Sequence, residues 1–235
     1  CFRVLKKRSK NIMLMNINDL VSNHNMNIHG VIHIGAHYGD EYEKFRGVGV
    51  TDFLMFEPHP DNFAKLKDHI KNADVGGINV TLENVALGHR EEEKTMYVET
   101  ANKSMSCSLM KPLKHLELYP HITFDSTIKV NQISLDDYFD NSDLDIKKFN
   151  MINIDVQGYE LEVFKGSLDT LYHIDYIMTE VNLDELYEGC PMMSDLDEFL
   201  GNIWGFERVD QRIVGNNTWG DALYIKKDFG YENKE

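Results

Sequence analysis

Short apolar segments alternate with amphipathic ones along most of the chain. The apolar segments have the length and side chains of buried strands, at residues 31–34, 52–56, 80–82, 149–154 and 176–178. After the second of them, Phe63, Leu66 and Ile70 recur at the spacing of one helix face. After the fourth, one helix face is predicted at Leu161, Phe164, Leu168 and Leu171. This alternation predicts βαβ units around a mostly parallel sheet, and therefore an α/β fold.

Two parts of the chain depart from this alternation. Residues 95–98 and 128–130 predict two further strands, an inserted hairpin that flanks a long polar loop at residues 99–127. Residues 206–209 and 222–225 predict a closing hairpin, which makes the last strand of the sheet antiparallel. Before that hairpin, Ser194 and Asp197 have the spacing of a capping box that opens a helix through Ile203.

The size and composition of the chain predict one domain. Of the 235 residues, 42% are apolar and 27% are charged, which permits a core without disulfides or metals. No internal repeat and no Pro/Gly/Ser-rich linker divides the sequence. We predict a flexible basic leader at residues 1–15, a single domain at residues 16–228 and a C-terminal tail at residues 229–235.

The charge distribution argues against one class of substrate. The net charge is −15, and the first ten residues hold five basic side chains and no acidic one. The remainder of the chain therefore carries 19 basic and 39 acidic side chains, a charge of −20. Nucleic-acid binding depends on a basic surface, so we expect no DNA or RNA partner.

The cysteines and the hydropathy indicate the compartment. Cys1, Cys107 and Cys190 are odd in number, far apart and without a C-x-x-C pair, which is typical of reduced thiols. No segment approaches the roughly 18 apolar residues of a transmembrane helix, and the apolar segment after the basic start is too short for a signal peptide. We expect a cytoplasmic protein without a transmembrane segment, as a monomer or a homodimer.

Three predicted strand ends carry the pattern of an adenosine site. Ligands of open α/β sheets bind beyond the carboxyl ends of the strands. The first strand is followed by Gly35-Ala36-His37-Tyr38-Gly39, a G-x-x-x-G turn rather than the G-x-G-x-x-G of dinucleotide sites. Glu57 ends the second strand 22 residues after Gly35, where an acid accepts both ribose hydroxyls. The turn after the third strand, from Asn84 to Ala86, is placed to hold an adenine edge.

These segments resemble the FkbM family of S-adenosylmethionine-dependent methyltransferases. The likeness runs from about residue 29 to residue 226, with its motifs in family order: VIHIGAHYGDE (31–41), FEPHPDNFAKLK (56–67), NVTLENVALG (79–88), SMSCSL (104–109), ISLDDY (133–138), INIDVQGYELEVFKG (152–166), TEVN (179–182), ELYEGC (185–190) and WGDALYI (219–225). Two positions depart from the family, which more often has Asp where His33 stands and Asn where His37 stands.

The resemblance implies a Rossmann-like class I methyltransferase fold with a seven-stranded sheet. It also implies O-methylation of a sugar, glycan or other small hydroxylated acceptor, with S-adenosylmethionine as cofactor. Carried over residue by residue, the family pattern places the methionine part of the cofactor on Gly35, Ala36, His37 and Gly39. It places the ribose on Glu57 and the adenine near Asn84 and Ala86.

Two carboxylates are candidates for catalysis. An alcohol is a poor nucleophile while protonated, so its methylation gains from a general base at a strand end. Asp155 ends the fourth predicted strand before Gly158 and is the first candidate; Glu180, at the end of the fifth, is the second. A helix cap for Asp155 and a salt bridge for Glu180 are the structural alternatives. A divalent metal there is a further alternative, but since the sequence contains no His/Cys cluster we predict no metal ligand.

The inserted loop and several aromatic residues are predicted to complete the site. The loop is interpreted as a lid, with Ser106 among the cofactor-binding residues. Trp219 is better placed for an acceptor than Tyr119, Phe124, Tyr138 and Tyr187, which are more typical of a core. Two other functions stay open: an NAD-dependent oxidoreductase, which shares the acid at Glu57, and a catalytically silent module that only binds the cofactor.

Overall fold

The computed structural model describes residues 14–73 and 76–227. Most of the predicted leader and all of the predicted tail lie outside these residues. Leu14 and Met15 belong to the predicted leader, yet both are held against the domain: the N–H of Leu14 donates to Asp221 at 2.7 Å, and Met15 is buried. Within the described residues, no helix has the length and apolar character needed to cross a membrane.

A seven-stranded sheet forms the centre of the molecule, as predicted. Its order is β3-β2-β1-β7-β8-β10-β9. The five strands from β3 to β8 are parallel, whereas β10 runs antiparallel to both β8 and β9. The strands are β1 (Gly30–Ile34), β2 (Asp52–Phe56), β3 (Asn79–Glu83), β7 (Met151–Ile154), β8 (Tyr176–Asn182), β9 (Phe206–Val214) and β10 (Trp219–Lys226).

Helices cover both faces of this sheet. The helices of the described residues are α1 (Ile17–His24), α2 (Tyr42–Gly47), α3 (Pro60–Asn72), α4 (Lys114–Leu118), α5 (Leu135–Asp140), α6 (Glu160–Lys165), α7 (Leu168–Leu171) and α8 (Met193–Leu196), with a 3₁₀ turn at Ile146–Lys148. Because successive side chains of a strand point to opposite faces, Val31 joins the core under α1 to α3, whereas Ile32 joins the core under α5 to α7.

The two inserted strands form part of a second, smaller sheet. Its order is β4-β6-β5, with β4 (Ala86–Leu87), β5 (Glu92–Val98) and β6 (Ser126–Ile133). β5 and β6 pair antiparallel with Thr95 opposite Lys129, so the predicted hairpin pairing is confirmed. The long connection between them contains α4. This insertion follows β3 directly, which places it beside the carboxyl ends of the main strands.

The prediction of a single helix through Leu161 and Leu171 is wrong in one respect, because two helices, α6 and α7, occupy this stretch. The Asp136 carboxylate accepts the N–H groups of Asp169 and Thr170 at 3.0 and 2.9 Å and thereby caps a new helix, α7. Ser167 satisfies the end of α6 by donating its hydroxyl to the carbonyl of Val163 at 2.7 Å. A distant carboxylate thus breaks a periodicity that is continuous in the sequence.

The prediction of a capping box at Ser194 and Asp197 is also wrong. The helix begins at Met193, and the N–H of Met192 donates to the Asp195 carboxylate at 2.7 Å. Asp197 instead binds Arg208 at 2.8 Å and accepts the hydroxyl of Tyr224 at 2.8 Å. From Asp197 to Ile203 the chain continues as a π-helix.

Candidate active site

The predicted site residues converge at the carboxyl ends of β1, β2, β7 and β8. Two larger cavities and a smaller third one open there. The first cavity, with about 580 Å³ of empty space including its opening to solvent, is lined by residues from the ends of β1 and β2, from β4 and from the inserted loop. The second cavity, with about 1100 Å³ including its opening, extends over β7 and β8. Both are lined by Gly35, His37, Met105, Asp155 and Gln157, so they meet at the centre of the sheet.

Gly35 makes the first turn possible because two other chain segments press against it. Its N–H and that of Ala36 donate to the carbonyl of Phe56 at 3.0 and 2.9 Å. A Cβ on Gly35 would lie 2.0 Å from the carbonyl oxygen of Asp155, and its φ of +81° belongs to the left-handed region. A Cβ on Gly39, by contrast, would lie 2.7 Å from Leu66 Cδ1 of α3. Gly39 therefore allows close packing against that helix.

Substituting Gly35 by alanine is expected to lower the free energy of unfolding by at least about 3 kcal/mol, since overpacking and left-handed strain add. Gly49→Ala is the matched control, because Gly49 also has a positive φ, +98°, but nothing lies within 4 Å of its added Cβ. Only strain of about 1–2 kcal/mol is expected there. Urea unfolding of both variants measures the difference, and equal losses would contradict the close fit.

Glu57 joins the turn after β1 to the turn after β2. Its carboxylate is buried and accepts the N–H of His37 and the N–H of His59, both at 2.8 Å. Burial raises the pKa of Glu57 to about 7, against the lowering effect of these two hydrogen bonds. The glycine turn and the acid predicted to bind one adenosine are therefore in direct contact.

The other residues predicted to bind the cofactor lie in different places. Ala86 is buried and lines the first cavity. Asn84 is exposed, and its amide donates to the carbonyl of Glu57 at 2.8 Å, so it fixes the turn after β2. Ser106 lines the second cavity, while Ser104 and Ser108 of the same loop line the first.

The inserted loop covers the site through specific contacts. The buried Glu99 accepts the N–H groups of Asn102 and Ser106 at 2.7 and 3.2 Å, which closes the loop upon itself. The carbonyl of Lys103 then accepts the Nε2–H of His37 at 2.8 Å and the hydroxyl of Tyr38 at 3.0 Å. This loop therefore docks on the first turn, in the position predicted for a lid.

Asp155 and Glu180 are joined by a residue that the sequence analysis did not single out. The amide of Gln157 donates to Asp155 Oδ1 at 2.7 Å and to Glu180 Oε2 at 3.0 Å. The hydroxyl of Tyr187, a fully buried residue, donates to Gln157 Oε1 at 2.8 Å and so fixes the orientation of the amide. Gln157 also has a φ of +57°, an uncommon backbone conformation that points to a constrained site.

Burial changes the proton affinity of this pair. It raises the pKa of Asp155 to about 6, and it raises that of Glu180 well above its usual range, with further increases from Asp155 and Glu160. Neither structural alternative, a helix cap for Asp155 or a salt bridge for Glu180, matches the contacts. The N-cap of α6 is Tyr159 rather than Asp155, and the recorded hydrogen bond of Glu180 is to the neutral Gln157.

A second group of buried ionisable residues lies next to this pair. His33, in β1, lies 3.2 Å from the Glu41 carboxylate, measured from Nε2 to Oε2. Asp221 of β10 pairs in register with Glu180 and accepts the N–H of Leu14. Burial raises the pKa of Asp221 to about 7. The residues predicted from single strands thus belong to one acidic centre that several strands build together.

The second cavity has an aromatic wall above the acidic centre. Trp219 and Tyr119 line it together with His115, and the indole N–H of Trp219 donates to the Tyr119 hydroxyl at 2.8 Å. The remaining aromatic candidates pack elsewhere: Tyr187 is fully buried, Phe124 packs on His115 and Tyr138 packs on Phe56. Of the predicted stacking residues, Trp219 and Tyr119 are the two in contact with the cavity.

Comparison with known proteins agrees with this architecture. The model of the methyltransferase FkbM domain matches residues 33–210. In sequence, the chain is similar to the 2-O-methyltransferase NoeI of Sinorhizobium fredii, with 28% identity over 174 residues that cover 71% of this chain and 69% of that protein.

Two solved structures have a similar fold. Methyltransferase FkbM of Methylobacillus flagellatus has a TM-score of 0.54 and 16% identity, and the match covers 84% of this chain and 43% of that one. This chain therefore spans less than half the length of the Methylobacillus protein. Magnesium protoporphyrin IX methyltransferase of Synechocystis, solved with bound S-adenosylmethionine, has a TM-score of 0.50 and 8% identity, covering 90% and 76% of the two chains. The predicted Rossmann-like class I methyltransferase fold is confirmed.

Proposed function

We propose that this chain, which belongs to the FkbM methyltransferase family, transfers a methyl group from S-adenosylmethionine to a hydroxyl of a sugar, glycan or small metabolite. One observation carries the proposal: the cavity beside Glu57 and a larger cavity with an aromatic wall meet at Asp155 and Gln157. A methyl donor in the first cavity and an acceptor in the second thus reach each other beside a carboxylate.

The cofactor is assigned to the first cavity. Glu57 accepts the ribose hydroxyls, while Ala86, Val85 and Leu109 provide the apolar surface for the adenine. Gly35 lines both cavities at their junction, where we place the methionine part and its sulfonium. A cation is favoured there because Asp155 lies beside it and the neighbouring carboxylates carry negative charge.

The acceptor is assigned to the second cavity. Its hydroxyl oxygen attacks the methyl carbon in line with the sulfur, so that a C–O bond forms as the C–S bond breaks. The hydroxyl proton passes to the Asp155 carboxylate, and S-adenosylhomocysteine leaves. Positioning of the two reactants contributes about 7–11 kcal/mol and a general base about 10²- to 10⁴-fold.

Three further features support the acceptor class and the compartment. The aromatic wall of Trp219 and Tyr119 suits the apolar face of a sugar ring, and a relative at 28% identity is a 2-O-methyltransferase. The charge of −20 beyond residue 10 favours an acceptor other than a polynucleotide. Cys107 and Cys190 are both free thiols, which supports the reducing conditions of the cytoplasm.

Calorimetry with S-adenosylhomocysteine tests the cofactor half of the proposal. We expect one site per chain with a dissociation constant in the micromolar range, about −8 kcal/mol, and no comparable binding of NADH. Failure to bind S-adenosylhomocysteine at millimolar concentration would refute the proposal. Preferential binding of NADH would favour an oxidoreductase.

Trp219 is expected to affect the acceptor and not the cofactor. With a glycoside identified by transfer of a labelled methyl group from a panel of simple sugars, Trp219→Ala should raise KM about tenfold, since stacking contributes about 0.5–1.5 kcal/mol beyond burial. The affinity for S-adenosylhomocysteine should stay unchanged. Trp204→Ala is the matched control, because Trp204 packs on Tyr172 rather than on the cavity. An equal KM for wild type and Trp219→Ala would argue against the aromatic wall as the sugar site.

A further inference from the structure

We propose that Asp155, Glu160 and Glu180 bind one divalent cation. The inference deepens the proposed function and rests on it for the role of the ion, although the binding itself is independent of cofactor and acceptor. One carboxylate oxygen from each of the three residues lies within 4.8 Å of the other two. Oxygen ligands 2.0–2.6 Å from a common Mg²⁺ or Ca²⁺ ion are at most about 5 Å apart, so the three fit a single ion.

Glu160 gives an independent indication of a ligand. Its side chain is fully buried, and its Oε1 accepts the N–H groups of Val156 and Gly158 at 3.1 and 3.2 Å. Its Oε2 has no hydrogen-bond partner among the described residues. A buried carboxylate oxygen without a partner is costly, and a cation held jointly with Asp155 and Glu180 removes that cost.

The charges around the three residues also favour a cation. Besides burial, the carboxylates of Asp155, Glu160 and Asp221 raise the pKa of Glu180. His33 lowers the pKa of Asp155, but its Nε2 already lies 3.2 Å from the Glu41 carboxylate. A divalent ion between these carboxylates offsets their mutual repulsion in a region of low dielectric.

The ligand set defines the class of ion. Three carboxylates without a sulfur or imidazole ligand suit hard cations, namely Mg²⁺, Mn²⁺ or Ca²⁺. Asp155 and Glu180 also line the second cavity, which leaves coordination positions open towards an acceptor. An ion held by these residues would lower the pKa of an acceptor hydroxyl bound to it and so ease transfer of the hydroxyl proton to Asp155.

Binding of Mn²⁺ to the full chain tests the inference without cofactor or acceptor. After treatment with EDTA and desalting, electron paramagnetic resonance counts free and bound Mn²⁺. We expect one ion per chain with a dissociation constant of about 10⁻⁷–10⁻⁴ M, within the range of protein Ca²⁺ sites built from oxygen ligands. Competition by Mg²⁺ and Ca²⁺ identifies the preferred ion.

Glu160→Gln is the decisive variant, and Glu162→Gln on the same helix is its matched control. Glu162 pairs instead with His89 and Lys165 near the surface. Glu160→Gln should bind Mn²⁺ at least tenfold more weakly than wild type, whereas Glu162→Gln should match wild type. Circular dichroism verifies folding, and if Glu160→Gln does not fold, Glu180→Gln replaces it with the same expected loss.

Two results would overturn the site: no stoichiometric Mn²⁺ on the wild type at 1 mM (about ten times the weakest expected dissociation constant), or equal affinity in the folded Glu160 and Glu162 variants. Because neither measurement contains S-adenosylmethionine, a chain that binds Mn²⁺ but not S-adenosylhomocysteine would refute the proposed function and leave the metal site standing. The opposite pattern would refute the metal site alone.

Discussion

Asp155→Asn is expected to lower kcat for methyl transfer by about 10²- to 10⁴-fold, the contribution of a positioned general base. The substituted amide retains an oxygen that can accept the hydrogen bond of Gln157, recorded at 2.7 Å in the wild type, so the site should keep its shape. It cannot take up the hydroxyl proton. The affinity for S-adenosylhomocysteine should change by less than about threefold, since the role assigned to Asp155 belongs to the reaction and not to cofactor binding.

The measurement compares steady-state kcat with calorimetric affinity in the same variant. Asp143→Asn is the control for loss of an acid at the surface, because Asp143 is exposed. Glu180→Gln should lower kcat less, since Glu180 is the second candidate. If Asp155→Asn retained wild-type kcat while Glu180→Gln lost it, Glu180 would be the base. If both variants retained wild-type kcat, catalysis would rest on positioning alone, and the assignment of a general base to the acidic pair would be wrong.

Glu57→Gln is expected to weaken binding of S-adenosylhomocysteine about tenfold or more at pH 8, because a hydrogen bond to a charged acceptor contributes about 1.5–3 kcal/mol. The loss should depend on pH. Burial raises the pKa of Glu57 to about 7, so the carboxyl is ionised at pH 8 and mostly protonated at pH 6. Since the ribose hydroxyls donate to the ionised form, wild-type affinity should fall about tenfold between pH 8 and pH 6.

Calorimetry at the two pH values measures this change, and Glu57→Gln should show none of it because glutamine does not ionise. Thermal unfolding controls for the lost contacts of Glu57 with the N–H groups of His37 and His59. Glu91→Gln, at an exposed position, is the matched control and should bind as the wild type does. Wild-type affinity that is equal at pH 6 and pH 8 would argue against ribose binding by an ionised Glu57.

The succession of the parallel strands along the chain and the chemistry at their ends follow from local patterns. Apolar runs and helical spacing predict the alternation of β1, β2, β3, β7 and β8, because each run reflects burial within one segment. Gly35, Glu57, Asp155 and Glu180 could be singled out for the same reason, since all lie at strand ends and parallel strands end at one edge. Membership of the family adds the number of strands and the identity of the cofactor.

Contacts between residues far apart in the chain could not be predicted from local patterns. The Asp136 carboxylate ends one helix pattern and starts another around residue 168, and the reason for Gly35 is the carbonyl of Asp155, 120 residues later. Gln157 becomes the bridge between two carboxylates, and Glu160 turns inward as the third, only when β7 and β8 lie side by side. Periodicity reports which face of an element is buried, but it carries no information about which distant polar group meets that face. Local sequence patterns therefore predict the elements and the edge of the sheet where the site lies, while the packing of those elements sets which carboxylates share that site.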